Sequence, residues 1–183
     1  TYHLDTSALD YLQYPYQTMQ YRSGDVDDIG ILLMSLLQSV GIETSFIASK
    51  DDFLVLFNTE IEASNASSYF DGYGHIIILE DDFVWIPLSM KAIGEGFINS
   101  WYKGIAEVNE VTDSEDDYYF VGISDAWTYY TPAGFTSGEN VSLTSSEKTV
   151  SDTVETDIVR YITAEFGPQI TAIQNKIKAQ GAS

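Results

Sequence analysis

The amino-acid sequence predicts an α+β domain in which one central buried helix packs on an antiparallel sheet, with further helices at the C-terminus. Three observations predict it. Ile29, Leu32, Leu33, Leu36, Leu37 and Val40 fall at i, i+3, i+4, i+7, i+8 and i+11, a single apolar helical stripe. "FLVLF" and "HIIIL" are continuous apolar runs bounded by polar turns, the pattern of strands covered on both faces. Past a Ser/Thr-rich stretch, Val150, Val154, Ile158, Tyr161 and Ile162 mark an amphipathic helix.

Each element follows in chain order. The Tyr- and Gln-rich start reads as a short helix or turn near Ser7 to Leu12, then an extended approach to the main helix. Asp25, Asp27 and Asp28 sit at the main helix's N-terminal end, where carboxylates cap free amides and match the helix dipole. Gly41 stops it. Strands are expected over Thr44–Ala48, Phe53–Phe57, His75–Glu80 and Phe83–Leu88, the last two turning at Asp81-Asp82. Glu60 to Gly74 reads as a loop, Gly94–Val108 as a helix, and "TDSEDD" as an acidic surface loop. "YYFVGISDAWTYYTPAGF" is aromatic-rich and reads as a further strand or a docking segment. Pro168 is expected to interrupt the C-terminal helix, a second piece carrying Ile170, Ile173 and Ile177. The expected organisation is a core domain over 1–135, a Ser/Thr-rich linker over 136–149 and a helical segment over 150–183.

Bulk properties narrow the function. The 183 residues suffice for one domain with a sizeable core and a helical appendage. Hydrophobic content of 44% and aromatic content of 14% exclude disorder over most of the chain. The net charge of −20, from 28 acids against 8 bases, excludes counterion-release binding to nucleic acid and opposes an anionic membrane surface. With no cysteine, thiol catalysis, thiolate metal sites and disulfides are all excluded. No apolar run reaches the ~18 residues of a membrane span. A chain that starts at Thr1 reads as a mature or excised piece.

The most informative stretch is "RSGDVDDIGILLMSLLQSVGI", from Arg22 to Ile42. A glycine and three acids precede a long apolar helix, and the middle of "GDVDD" is where a reactive side chain would stand. Val26 stands there, and it can neither attack, ligate nor carry a proton. The segment Tyr14–Ile47 resembles the core of bacterial transglutaminase-like proteins, within the papain-like cysteine protease superfamily. Pro15, Thr18, Gly24, Asp25, Asp27, Asp28 and Gly41-Ile42 carry that resemblance, and "VWIPLS", "EGFINSW" and "DAWTYYTP" continue it to about residue 130.

The resemblance implies a nucleophilic Cys at the helix N-terminus, where the dipole favours its thiolate, with a His base on one strand and an orienting acid on the next. Transferred residue by residue, the nucleophile position is Val26. The base position is either His75, which opens the third expected strand, or Asp52, ahead of "FLVLFNT". The acid position is Ser89 on both alignments. Cysteine catalysis is therefore lost, and the resemblance implies a pseudoenzyme. It further implies a protein–protein interaction or scaffold module in a larger bacterial assembly, extracytoplasmic in setting, with a protein partner and with the helices from Val150 onward as the start of a helical repeat region. A groove for a ligand or carbohydrate is the alternative, its sign being an open, aromatic-lined concavity near Val26. A non-cysteine hydrolase using His75 with Asp or Ser groups is the third reading.

Other residues carry less. His75 beside an apolar run and His3 near a terminus read as structural. The acidic clusters do not match a calcium loop, since Ile29 stands where a ligand is needed. No metal and no cofactor are expected. Ser23 lacks an evident His partner, and the sequons at Asn65 and Asn140 matter only in a eukaryotic secretory setting. The chain's 13 Tyr, 9 Phe and 3 Trp read mostly as packing, the rest as a protein-binding surface or peptide groove.

Overall fold

The computed structural model describes residues 12–49, 52–70, 78–114, 117–131 and 147–181. The chain divides into two units, Thr1–Val141 and Ser142–Ser183. The first is α+β. Its strands β1 (Thr44–Ala48), β2 (Phe53–Glu62), β3 (Ile78–Glu80), β4 (Phe83–Ser89) and β5 (Tyr119–Gly122) form one sheet in the order β3-β4-β2-β1-β5. Every neighbouring pair is antiparallel.

Local chemistry explains the elements. The first helix, α1 (Pro15–Tyr21), replaces the extended approach expected there. Proline at its first position loses no helical hydrogen bond, and the Gln17 side chain reaches back to accept from Tyr14 N at 2.8 Å. The helix or turn expected at Ser7 to Leu12 lies outside the described residues, apart from Leu12. The main helix, α2 (Val26–Ser39), is capped by Asp25 and ends where Gly41 takes φ +85°. There Ile42 N donates to Leu37 O and Gly41 N to Gln38 O, each at 3.0 Å, which satisfies the last carbonyls.

β2 runs on to Glu62 through an irregularity between Asn58 and Glu62, and Glu60 takes φ 58° there. A 3₁₀ turn (Ala63–Asn65) and α3 (Ala66–Tyr69) follow, where a loop was expected. The Asn58 side chain accepts from Glu60 N at 2.8 Å, and Thr59 Oγ1 donates to Val84 O at 2.8 Å. These bonds hold the bulged strand against β4. Asp81 and Asp82 both adopt positive φ, 47° and 63°, the requirement of a two-residue hairpin turn whose twist matches its strands.

A 3₁₀ stretch (Met90–Glu95) leads to α4 (Phe97–Asp113), and α5 (Ile123–Tyr129) follows β5. The second unit holds α6, one helix over Glu147–Gly181 with Pro168 inside it. The interruption expected at Pro168 does not occur. The residue before a proline normally avoids helical geometry because its Cβ meets the ring, and Gly167 has no Cβ, so the chain loses one backbone bond and continues. None of the described helices is long and apolar enough to cross a membrane.

In the first unit the sheet's centre is dry on both faces: Leu54, Val55 and Leu56 are each 0% exposed. One core cluster joins Met34, Val55, Ile86, Leu88, Trp101 and Ile105; the other joins Ile47, Leu54, Leu56, Trp85, Val108 and Val111. α2 lies closely on β2, for a Cβ added at Gly30 would stand 2.5 Å from the Phe53 ring. α4 lies as closely on β4, for a Cβ at Gly104 would stand 2.6 Å from Pro87 O.

The predicted stripe does not define the buried side of α2. Asp28, Gly30 and Met34 are buried, whereas Leu36 and Val40 are 49% and 71% exposed. A helix that is apolar nearly all round does not specify its orientation by periodicity, and the small residue Gly30 decides which side meets the sheet.

Candidate functional site

The structure brings Asp52 and Ser89 into one polar cluster and places Val26 on the apolar core beside them. Val26 opens α2 half-buried and packs against the cluster of Met34, Val55 and Leu88. Asp52 precedes β2 and forms an ion pair with Lys91. Ser89 closes β4, wholly buried, opposite Leu54 in the strand register. Its Oγ donates to Glu107 Oε1 at 2.8 Å, and its carbonyl accepts from Ser100 Oγ at 2.9 Å. Burial pushes the Glu107 carboxyl up; the Ser89 bond and Lys91 oppose this, and Asp52 adds to it. Asp52, Ser89, Lys91 and Glu107 thus form a clasp between the sheet and α4. His75 and His3 lie outside the described residues, and Ser23 is half-buried.

At the head of α2, Asp25 accepts from Asp28 N at 3.4 Å. Burial pushes the Asp25 carboxyl up to about 7, helped by its hydrogen bond to Asp27 and by that neighbour's charge. Carboxylate oxygens of Asp25, Asp27 and Asp28 lie within 4.8 Å of one another, but Asp28 is already engaged. Its Oδ1 accepts from Gln13 N at 2.7 Å and its Oδ2 from Gln13 Nε2 at 2.5 Å. A Cβ at Gly24 would meet the Asp28 Cβ at 2.7 Å, which is why that position is glycine.

Gln13 and Asp28 fix one rim of a groove. The cavity, about 740 Å³, opens along the outer side of α2. Asp27, Ile31, Met34, Ser35 and Gln38 of α2 form one wall. Gln13, Tyr14 and Pro15 form the rim, Phe46 and Phe53 the floor, and Ile123 and Trp127 of α5 the far side. The Phe46 and Phe53 rings stack with centroids 5.0 Å apart. Tyr14 and Trp127 remain 52% and 49% exposed at the mouth. Volume, apolar lining and a few polar groups are those of a ligand pocket.

The aromatic excess in the sequence foretold a groove but not its walls. Nothing in the spacing of Gln13, Tyr14, Phe46, Phe53, Ile123 and Trp127 marks them as lining residues. The one local sign was Gly30 within an apolar helix, since it brings Phe53 against α2. No family model, curated protein or solved structure matches the chain.

Proposed function

We propose that the first unit is a degenerate transglutaminase-like domain, without catalysis, that serves as a protein-binding module in a larger bacterial assembly. The groove along α2 receives an apolar segment of the partner. The concavity beside Val26 is the sign expected of a ligand groove, and the observation that favours a peptide segment as its ligand is the lining: Leu12, Ile31, Met34, Phe46, Phe53 and Ile123 are apolar, with few of the polar groups a sugar would need. The chain has no thiol to attack a substrate, and the Val26 side chain contributes only apolar surface.

Calorimetric titration with short capped peptides bearing Leu, Phe or Trp tests the reading. Saturable binding is expected, abolished by Ser35→Trp, which fills the groove from an exposed position. Binding that survives Ser35→Trp, or no binding by any peptide, would overturn it. The aromatics at the mouth support a second reading, a flat ligand such as a sugar ring stacked on Tyr14 or Trp127. Oligosaccharides in the same titration separate the two.

A further inference from the structure

We infer that the partner segment presents a lysine flanked by apolar residues, its ammonium set against Asp27 inside the groove. The inference rests on the protein-binding reading and adds the chemistry of the bound segment.

Two observations carry it. Asp27 is the charged residue among the described groove-lining residues; every other one is apolar or neutral. An apolar segment alone would leave that half-buried carboxylate without an opposite charge as water leaves the groove, at a cost in desolvation. An ammonium supplies that charge together with three donors. The walls suit the rest of such a side chain: Ile31, Met34, Phe46 and Phe53 offer apolar surface to its methylene stem and to its apolar neighbours.

The α2 N-terminus carries the equivalent of roughly +0.5 charge, which disfavours a nearby cation. The three carboxyls of Asp25, Asp27 and Asp28, with oxygens within 4.8 Å of one another, outweigh it. At longer range, a net charge of −20 steers a basic segment inward and repels an acidic one.

The test compares two capped peptides, Ala-Leu-Lys-Leu-Ala and the same sequence with norleucine for lysine, by calorimetry on the full chain. At low salt the lysine peptide is expected to bind about tenfold more tightly, an advantage that shrinks as salt is added. Asp27→Asn is expected to reduce the ratio to within about threefold, whereas Glu110→Gln, on the exposed side of α4, leaves it unchanged. Equal binding of both peptides, still sensitive to Ser35→Trp, would overturn the cation and leave the groove reading standing. Binding of neither would overturn both. Should Asp27→Asn fail to fold, the peptide pair on the unaltered chain still decides.

Discussion

Gln13 and Asp28 meet in a two-point clasp, main-chain N and side-chain Nε2 of one residue on the two carboxylate oxygens of the other. Asp28 is 1% exposed, so a charge buried in the first turn of α2 is balanced by donors from a segment 15 residues earlier. The clasp sets where α1 begins and gives the groove its rim.

Asp28→Ala is therefore expected to destabilise the first unit by about 2 kcal/mol, because it removes charge-assisted bonds and leaves buried donors unpaired. Denaturant titration measures the loss. Peptide affinity should fall with it, since the rim at Tyr14 is no longer anchored.

Asp25 predicts a pH dependence with a definite sign. Its carboxyl, pushed up to about 7 by burial and Asp27, holds a proton in the folded chain that the unfolded chain releases above the ordinary value of 3.8. Its contribution to stability is complete below 3.8 and is lost as pH rises through about 7. Asp25→Asn should remove that loss, making the variant more stable than the parent at pH 8. Asp25 is half-buried and still reached by solvent, so screening limits the gain to about 1 kcal/mol. Thermal melts of both proteins at pH 4 and pH 8 check it; Glu107, shifted in the same direction, cancels in the comparison.

Gly104→Ala should be among the most damaging small substitutions. Its Cβ would stand 2.6 Å from Pro87 O and 3.0 Å from Leu88 N, backbone atoms that a rotamer change cannot clear. Moving α4 off β4 is expected to cost about 2–3 kcal/mol, read as a lower denaturant midpoint. A methyl at Gly41 meets nothing within 4 Å, so Gly41→Ala is opposed only by its positive φ and should cost less.

Restoring the thiol should not restore the chemistry. In Val26→Cys the helix dipole favours the thiolate, whereas partial burial and Asp25, Asp27 and Asp28 oppose it. Adding Asp52→His and Ser89→Glu places the imidazole beside Lys91 and the new acid beside Glu107, in the clasp with α4. Alkylation rates against pH should give midpoints at or above the ~8.5 of free cysteine in both variants. A midpoint below about 7 in the triple variant alone would show that the imidazole reaches the thiol.

Much of the sheet was legible because its signals are local. Thr44–Ala48 is found at the expected bounds, and Asp81-Asp82 makes the expected hairpin, since apolar runs and turn residues act within a few positions. α1 was not legible: "YPYQTMQY" has no apolar period, and its start depends on a side chain reaching back three residues. Nor was the use of Asp28, which reads as an N-terminal cap until the fold brings Gln13 to it. Ser89 was singled out only through the resemblance, and its bond to Glu107 depends on how α4 crosses β4. Long-range pairing of this kind leaves no mark in spacing.

Whether the groove along α2 is the working surface is read from amide chemical shifts during titration of the isotopically labelled chain with the lysine peptide. Saturating shifts are expected, confined to Gln13 and Tyr14, Ile31 to Gln38, Phe46, Phe53 and Ile123 to Trp127. Shifts gathered instead around Asp52, Ser89, Lys91 and Glu107, or no saturable shifts at all, would contradict it.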